Sequence, residues 1–447
     1  MTDLLIHNGL VLQTERQADG ISLKLLPNHD VLVRGNRIEA IQPTGRANPS
    51  HFRRVIDASE RVVMPGLINT HAHTSMIYWR GLAEDVNLEA WFNDYIWPLE
   101  SNLREGDVYW GMLLGLIEMI EAGVTSVNDH YFYMDEAAQA VEEAGTRALL
   151  GWAMFSSNGM EQIDEVGGAF AQRWDGAANG RIRTCIAPHA PYTCDDDFLR
   201  AAAAKAQRLG IPIHTHVSET HEQTTASLEA RGITPVQVLE QTGILDSHSI
   251  LAHVCGATPA DIELLADRRV GIAHTAKTYL KLAMGYAPVV EFRNAGIPIG
   301  LGSDGVVSNN TLNLWEVMRL MALMQKTRFE DATVMPIPDV LHIATYESAA
   351  VLGWQDMLGE LKAGKLADII LVDLNGTHHQ PLYNVGASLV YNMAAGDVRT
   401  VIVNGEVVMY ERDILTIDRE QVFAEVHKRM ERMQRRELAK RIQTYRP

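Results

Sequence analysis

The sequence predicts an α/β fold: a (β/α)₈ barrel of the TIM type with a small β-sandwich domain built from both chain termini. Two observations lead to this prediction. Short apolar runs typical of strands alternate with amphipathic helical patterns through the middle of the chain. Strand-rich segments with tight, glycine-containing turns flank this middle on both sides.

The N-terminal segment, residues 1–60, shows the pattern of short strands joined by turns. LLIHNGLVLQ and DVLVRGNRIEAI are β-rich runs with Gly at the tight places. The same pattern returns in residues 359–417, where VIVNGEVV places an apolar run on each side of Asn404-Gly405, a strong hairpin signal. We expect these two segments to form one β-domain, followed by a charged, solvated helix over residues 418–447.

The central segment, residues 61–358, alternates between strand and helix patterns. Helical patterns end at Gly123 and at Gly210, and an apolar run follows each of them. A helix that ends at Gly and leads into a strand is the second half of a βαβ unit. Repetition of this unit predicts a parallel sheet, which could be either doubly wound or closed into a barrel.

Polar residues at the carboxyl ends of the apolar runs favour the barrel. These residues are His71, Asp129, His189, His216, His253, His274 and Asp304. In a closed barrel all strand ends meet at one mouth, whereas an open sheet would spread them along a line. The sequence therefore predicts a barrel with a site at its mouth.

Composition limits the classes of function. With 39 basic and 56 acidic residues the formal net charge is −17, which argues against nucleic acid or a membrane surface as partner and favours a small-molecule substrate. The start of the chain lacks a basic region followed by an apolar core, so we predict no signal peptide and a cytoplasmic protein. Cys185, Cys194 and Cys255 are too scattered for a disulfide framework. The sequence leaves a homo-oligomer open.

Two His-x-His motifs supply candidate metal ligands. His71 and His73 are two residues apart after an apolar run, so their side chains share one face at a strand end. In the second motif we expect His216, at the very end of its strand, to be the ligand and His214 to lie behind it. Asp304 ends another apolar strand, where a buried carboxylate needs a cation, either a metal or an arginine.

Together these residues predict a mononuclear metal site. The expected ligands are His71, His73, His216 and Asp304. Three nitrogens and one carboxylate suit Zn²⁺, with Fe²⁺ as an alternative. We expect Glu219 to accept a proton from water acidified by the metal, and His253 and Asp304 to orient the resulting hydroxide. His253 taken alone could equally be a satisfied core histidine.

The motifs PGLINTHAHT, HTHVSE, LAH and GSDG, in this order, resemble those of the amidohydrolase superfamily and of its branch of heterocycle aminohydrolases. More narrowly, RGLAEDVNLEAWFNDYIWPLE, APHAPYTC and SDGVVSNNTLNLWEVMRLMALMQK resemble segments of the 5′-methylthioadenosine/S-adenosylhomocysteine deaminases. The resemblance implies a hydrolytic deaminase of an amino-substituted heterocycle or nucleoside, with one divalent metal per chain. It also implies that Glu100 and His189 contact the substrate.

Two departures from that pattern concern specificity. HTAKTYLKL stands where such deaminases read HNPxSNLKL, and we expect Lys277 and Tyr279 to alter the pocket wall. Some relatives have an arginine after the third strand, where it could hold a substrate carboxylate. The corresponding segment here, GWAMFSSNGM, has none. We expect Trp79, Trp91 and Trp97 to pack in the core or at a subunit interface rather than in the pocket.

Three alternative functions stay open at this point. One is a hydrolase that removes another group from a ring, such as a triazine chlorohydrolase or aminohydrolase. Another is a deaminase of guanine, 8-oxoguanine, a pterin or cytosine. The third is a non-enzymatic scaffold with the same fold, which need not bind stoichiometric metal.

Overall fold

The computed structural model describes residues 3–18 and 20–445 and contains two sheets. In chain order the strands are β1 Asp3–Gln17, β2 Gly20–Arg34, β3 Arg37–Pro43, β4 Arg54–Asp57, β5 Arg61–Pro65, β6 Leu67–Ala72, β7 Val124–Tyr131, β8 Arg147–Met154, β9 Ile182–Pro188, β10 Ile213–Val217, β11 Ser249–His253, β12 Val270–His274, β13 Ile299–Leu301, β14 Ile369–Asp373, β15 Val398–Val403, β16 Glu406–Tyr410 and β17 Asp413–Ile414.

Strands β6 to β13 form a parallel sheet of eight strands in sequential order. The first and last strands meet where Ala72 bridges to Asp304 and the Asp304 amide donates to the His71 carbonyl at 2.9 Å. Gly300 permits this approach, because a Cβ there would lie 2.4 Å from the Thr70 side chain. The predicted barrel is confirmed, and its closure brings the chain at Asp304 against the end of β6.

Helices lie between the barrel strands and after the last of them. The α-helices of six residues or more are Asp107–Glu121, Met134–Ala144, Ala169–Trp174, Asp196–Leu209, His221–Arg231, Pro235–Gln241, Pro259–Ala266, Ala276–Lys281, Val289–Asn294, Leu314–Phe329, Ile337–His342 and Arg419–Met433. The predicted stops hold, since Gly123 and Gly210 follow two of these helices with φ of 80° and 66°. Among the helices in the described ranges, none has the length and apolar character that a membrane span requires.

The second sheet is built from both termini, as predicted. Its nine strands run β17-β16-β15-β14-β5-β1-β2-β3, with β4 paired to β1. The predicted hairpin joins β15 to β16, where Val403 pairs with Glu406 and both turn residues have positive φ. Strand β5 belongs to this sheet although it begins after the boundary predicted at residue 60. The domain boundaries as a whole stay predictions.

The C-terminal segment differs from the prediction of a solvated helix over residues 418–447. The helix covers only Arg419–Met433, and it buries Val422, Val426 and Met433, packing against the helix Asp107–Glu121. Spacings of four and seven residues place these side chains on one stripe of an otherwise charged helix. The prediction of a solvated helix rested on the many charged residues of the segment and overlooked this apolar stripe. Residues 446 and 447 lie outside the described part of the chain.

Candidate active site

Four predicted metal ligands converge at the barrel mouth. His71 lies in β6 and His73 just after it, His216 lies in β10, and Asp304 follows β13. The Nε2 atoms of His73 and His216 are 3.3 Å apart. Asp304 Oδ1 lies 3.5 Å from His73 Nε2 and 3.7 Å from His71 Nε2. His73 and Asp304 are therefore neighbours in space, although more than 200 residues separate them in the chain.

The hydrogen bonds of two histidines define their protonation. His73 Nδ1 lies 2.6 Å from the His130 carbonyl, and His216 Nδ1 lies 2.8 Å from the His189 carbonyl. A carbonyl only accepts, so both Nδ1 atoms carry the proton, and burial lowers the pKa of His216 well below its ordinary value. In both rings Nε2 is therefore the atom left to bind a ligand, and the two Nε2 atoms lie close enough to share one cation.

The geometry fits one divalent ion. A tetrahedral zinc site with ordinary bond lengths places its ligand atoms about 3.4 Å apart, close to the separations found here. His71 Nε2 is buried and has no hydrogen-bond partner among the described residues, and a metal would satisfy it. His71 Nδ1 lies 2.9 Å from His214 Nε2. His214 thus lies behind His71, where it orients the imidazole.

Two further histidines adjoin the cluster. His253, at the end of β11, lies within ligating range of His71 and His216. Burial lowers the pKa of His253 to about 4, so this imidazole is neutral at physiological pH. His130 also has a candidate ligand atom within 4.8 Å of those of His73 and His216. Its Nε2 is engaged 3.1 Å from the Ala187 carbonyl.

Glu219 lies two residues beyond β10, buried beside the cluster. The Tyr192 hydroxyl donates to Glu219 Oε1 at 2.9 Å, and the Glu219 amide donates to Gln223 Oε1 at 2.9 Å. Burial raises the pKa of Glu219 to about 7, while Tyr192 opposes the shift and the charge of Asp304 adds to it. A carboxyl with such a pKa can both take and give a proton near neutral pH.

The cluster and Glu219 line one pocket together with His253, Glu100 and His189. The space is about 610 Å³ including its solvent-open mouth, within the range of small-molecule sites. Most of its wall is apolar, with Trp91, Phe92, Trp97, Phe132, Phe155 and Met284 among the lining residues. Trp91 and Trp97 are buried in the core as expected, and they line the pocket as well. Trp79 packs as expected, and its Nε1 donates to the Met433 carbonyl at 2.8 Å.

Glu100 and His189 are the polar groups that the resemblance assigned to substrate. Both are buried, and both line the pocket. Burial raises the pKa of Glu100 to about 8, against a smaller opposing effect of the Tyr131 hydroxyl. Burial lowers the pKa of His189 to about 3, and its ring stacks on Phe155 at 4.8 Å. Glu100 therefore gains from a ligand that donates hydrogen bonds, and His189 offers a neutral imidazole.

Comparison with known proteins defines the family. The sequence profile described as "Amidohydrolase family" matches residues 62–408, more than half of the chain. The chain belongs to the amidohydrolase family. Two curated relatives named 5-methylthioadenosine/S-adenosylhomocysteine deaminase are similar over nearly all of it. The protein of Caldanaerobacter subterraneus is 40% identical, covering 98% of this chain and 100% of its own. That of Desulforudis audaxviator is 42% identical, covering 90% and 94%.

Solved structures of similar fold include other amidohydrolases with zinc. An adenosine deaminase from Xanthomonas campestris with bound zinc matches at a TM-score of 0.90 and 31% identity, covering 97% of this chain and 98% of that one. An atrazine chlorohydrolase from Arthrobacter aurescens complexed with zinc matches at a TM-score of 0.86 and 24% identity, covering 96% and 100%. The second likeness concerns the fold alone.

The segment HTAKTYLKL of this amidohydrolase differs from expectation. Thr278 and Leu282 contribute to the pocket lining, whereas Lys277 and Tyr279 do not. Lys277 forms an ion pair with Glu316 at 2.6 Å, away from the pocket. The buried Tyr279 hydroxyl accepts from the Thr275 amide at 2.9 Å and lies 3.4 Å from the His253 carbonyl. The residues form a helix, Ala276–Lys281, which turns these two side chains away from the cavity.

Sequence reasoning did not identify Tyr131, which lines the pocket of this amidohydrolase, or Tyr192, which donates to Glu219. Trp91 Nε1 is buried and has no hydrogen-bond partner among the described residues, so this donor is available to a polar ligand. The Tyr131 hydroxyl faces Glu100 and favours its charged form. Tyr192 lies within the APHAPYTC segment, and that position was the available signal for it. His274 ends β12 and Asp129 lies two residues before the end of β7, and neither lines the pocket.

Replacing Tyr192 with phenylalanine should shift the pH dependence of this amidohydrolase. The hydroxyl stabilises the charged form of Glu219, so its loss raises the pKa of that carboxyl. If Glu219 must be deprotonated, the acid limb of the kcat/KM profile moves to higher pH by about one unit. A bound cation lowers the pKa of Glu219 in the wild type and in the variant alike, so the difference between their acid limbs remains. An unchanged acid limb in Tyr192→Phe would disconnect Glu219 from that limb.

Proposed function

We propose that the protein is a metal-dependent hydrolytic deaminase of an adenosine-type nucleoside that releases ammonia. One observation carries the proposal. The metal-type cluster and Glu219 share a wall of one apolar pocket, and that pocket also contains Glu100 and His189. A reactive centre and a set of groups suited to a polar heterocycle thus face the same cavity.

His71, His73, His216 and Asp304 would hold a single divalent ion, for which we propose zinc. The ligand spacing and the unpartnered His71 Nε2 support this assignment. When bound, such an ion lowers the pKa of a water molecule towards neutrality. Zinc in the similar adenosine deaminase structure is consistent with the choice of metal.

Glu219 would move the protons in this reaction. Its carboxylate takes a proton from water as the oxygen bonds to the ring carbon that carries the amino group. The carboxyl passes this proton to the neighbouring ring nitrogen, then takes the remaining proton from the added oxygen and gives it to the amino nitrogen. The carbon–nitrogen bond breaks, ammonia leaves, and the added oxygen remains as a ring carbonyl. A pKa near 7 suits both directions of transfer. His253 and Asp304 would orient the attacking oxygen from the side of the cluster.

Glu100 and His189 would hold the substrate. A ribose diol donates hydrogen bonds, and these would offset the cost of ionising the buried Glu100. The neutral His189 imidazole would bind a nitrogen of the base, with Phe155 fixing the plane of its ring. The names of the curated relatives and of the Xanthomonas structure support a purine nucleoside over other heterocycles.

Within this class, we expect a preference for substrates without a carboxylate. Among the described residues that line the pocket, none is Lys or Arg, while Glu100, Glu219 and Asp304 are acidic. The amino-acid group of S-adenosylhomocysteine would therefore place a carboxylate near these acidic side chains, where like charges repel. The kcat/KM for 5′-methylthioadenosine should exceed that for S-adenosylhomocysteine at least ~10-fold. Neutral 5′-butylthioadenosine controls for size. If it reacts as poorly as S-adenosylhomocysteine, size decides the preference instead of charge.

The proposed function is tested by ammonia release from zinc-loaded protein across a panel. The panel contains adenine nucleosides, guanine, 8-oxoguanine, cytosine, pterins, and amino- and chlorotriazines. Release from adenine nucleosides alone supports the proposal, and release from another class would reassign the substrate. Release of chloride without ammonia would indicate the chlorohydrolase alternative. No release of either product, together with no stoichiometric metal, would favour a scaffold.

A further inference from the structure

The segment after the last helix, residues 434–445, returns to the candidate active site. The Tyr445 amide donates to Asn93 Oδ1 at 2.8 Å, and Asn93 Nδ2 donates to the Tyr445 carbonyl at 3.2 Å. The Ile442 amide donates to the Trp97 carbonyl at 3.4 Å. Asn93 and Trp97 belong to the stretch that supplies the aromatic pocket wall. The C-terminal segment therefore supports that wall from behind.

Tyr445 also contacts both groups that hold Glu219. Its hydroxyl accepts from Gln223 Nε2 at 3.2 Å, while Gln223 Oε1 accepts from the Glu219 amide. Its ring meets the Tyr192 ring edge-on at 5.4 Å, and the Tyr192 hydroxyl donates to the Glu219 carboxylate. One side chain thus fixes the partner of the Glu219 backbone and the partner of its carboxylate.

The same ring also contacts a residue of the pocket wall. Tyr445 stacks on Phe92 with ring centroids 4.9 Å apart and planes 12° apart, and Phe92 lines the pocket. Phe92 lies in a single-turn π-helix, Trp91–Ile96, between two short α-helical turns. Such irregular backbone needs tertiary contacts to hold its side chains in place. Tyr445 is 4% exposed, so it is a packed part of the structure.

We propose that Tyr445 is a positioning residue that couples the substrate-binding wall at Phe92 to Glu219. The inference rests on the proposed role of Glu219 as the proton carrier. The hydroxyl of Tyr445 orders Gln223 and thereby the Glu219 backbone. The ring orders Phe92 and Tyr192. The two parts of one side chain therefore act on different kinetic quantities.

Two substitutions separate these parts. Tyr445→Phe keeps the ring contacts and loses the bond to Gln223, so kcat should fall about fivefold with KM within about twofold of the original value. Tyr445→Ala also releases Phe92, so kcat should fall about 20-fold or more and KM should rise. Leu438→Ala, at an exposed position of the same segment, is the control and should change neither quantity.

Hydrogen exchange supplies a readout that needs no substrate. In Tyr445→Ala, and to a smaller extent in Tyr445→Phe, amides of residues 218–224 should exchange faster, while those of β6 keep their protection. Unchanged kcat, KM and exchange in folded Tyr445→Ala would overturn the inference. If the wild-type protein deaminates no nucleoside but the exchange changes occur, the proposed function fails while the structural coupling stands. A lower melting temperature with unchanged kcat and KM would leave Tyr445 a purely structural role, which also contradicts the proposal.

Discussion

The Asp304→Asn variant is expected to lose both its metal and its turnover. Asp304 supplies the only negative charge facing the Nε2 atoms of His71 and His73 among the described residues of the proposed ligand set. Asparagine keeps the shape but removes the charge that balances a divalent ion. We expect kcat/KM to fall at least ~1,000-fold, because the chemistry supplied by the metal is lost. Metal analysis and ammonia assays on the purified variant check this result.

A second histidine–aspartate cluster provides the matched control for Asp304. His378 and His379 both lie near Asp397 Oδ2, at 2.9 and 3.1 Å, in the C-terminal part of the chain. Asp397→Asn makes the same chemical change there and should leave the metal content at one per chain and the activity intact. Full metal content and near-normal turnover in Asp304→Asn would contradict its assignment as a ligand.

Glu219→Gln should keep the metal and lose most of the activity. The glutamine side-chain oxygen can still accept a hydrogen bond from the Tyr192 hydroxyl, so the local structure is retained. It cannot carry a proton from water to the leaving nitrogen, and general acid–base catalysis typically contributes ~100- to 10,000-fold. We therefore expect kcat to fall by about 1,000-fold with zinc content unchanged. Kinetics and metal analysis on the same preparation measure both quantities.

The exposed Glu222 offers a control for that substitution. It lies three residues further along the chain, in the helix His221–Arg231, and does not line the pocket. Glu222→Gln removes the same charge near the site and should retain wild-type kcat. A Glu219→Gln variant with near-normal kcat would eliminate the proposed proton transfer. A variant that loses its zinc would instead make Glu219 important for metal binding.

The barrel and the convergence of His71, His73, His216 and Asp304 were predictable because both depend on local patterns. Apolar strands ending in polar residues define the barrel mouth, and the spacing of His71 and His73 defines a shared face. The closure that brings Asp304 to His71 then follows from the fold class. Roles for Glu100 and His189 depended on family resemblance, because an isolated Glu or His has no distinguishing pattern.

The rest of the pocket could not be predicted because it depends on side-chain direction and on long-range packing. Tyr279 turns away from the cavity because of its place on a short helix, and Trp91 turns towards it. Tyr445 reaches Gln223 from more than 200 residues away, through a segment with little regular structure. In the sequence, residues 434–445 are recognisable only as a charged segment. The apolar stripe of the preceding helix packs that helix against the barrel, and the segment starts from there.

The most direct test of the proposed function is ammonia release from 5′-methylthioadenosine by the zinc-loaded protein, before and after chelation. We predict one ammonia and one 6-oxo product per substrate consumed. Activity should be lost when a chelator removes the single metal and restored when zinc is returned. Failure to release ammonia from this or any other adenine nucleoside, with one zinc bound per chain, would contradict the account.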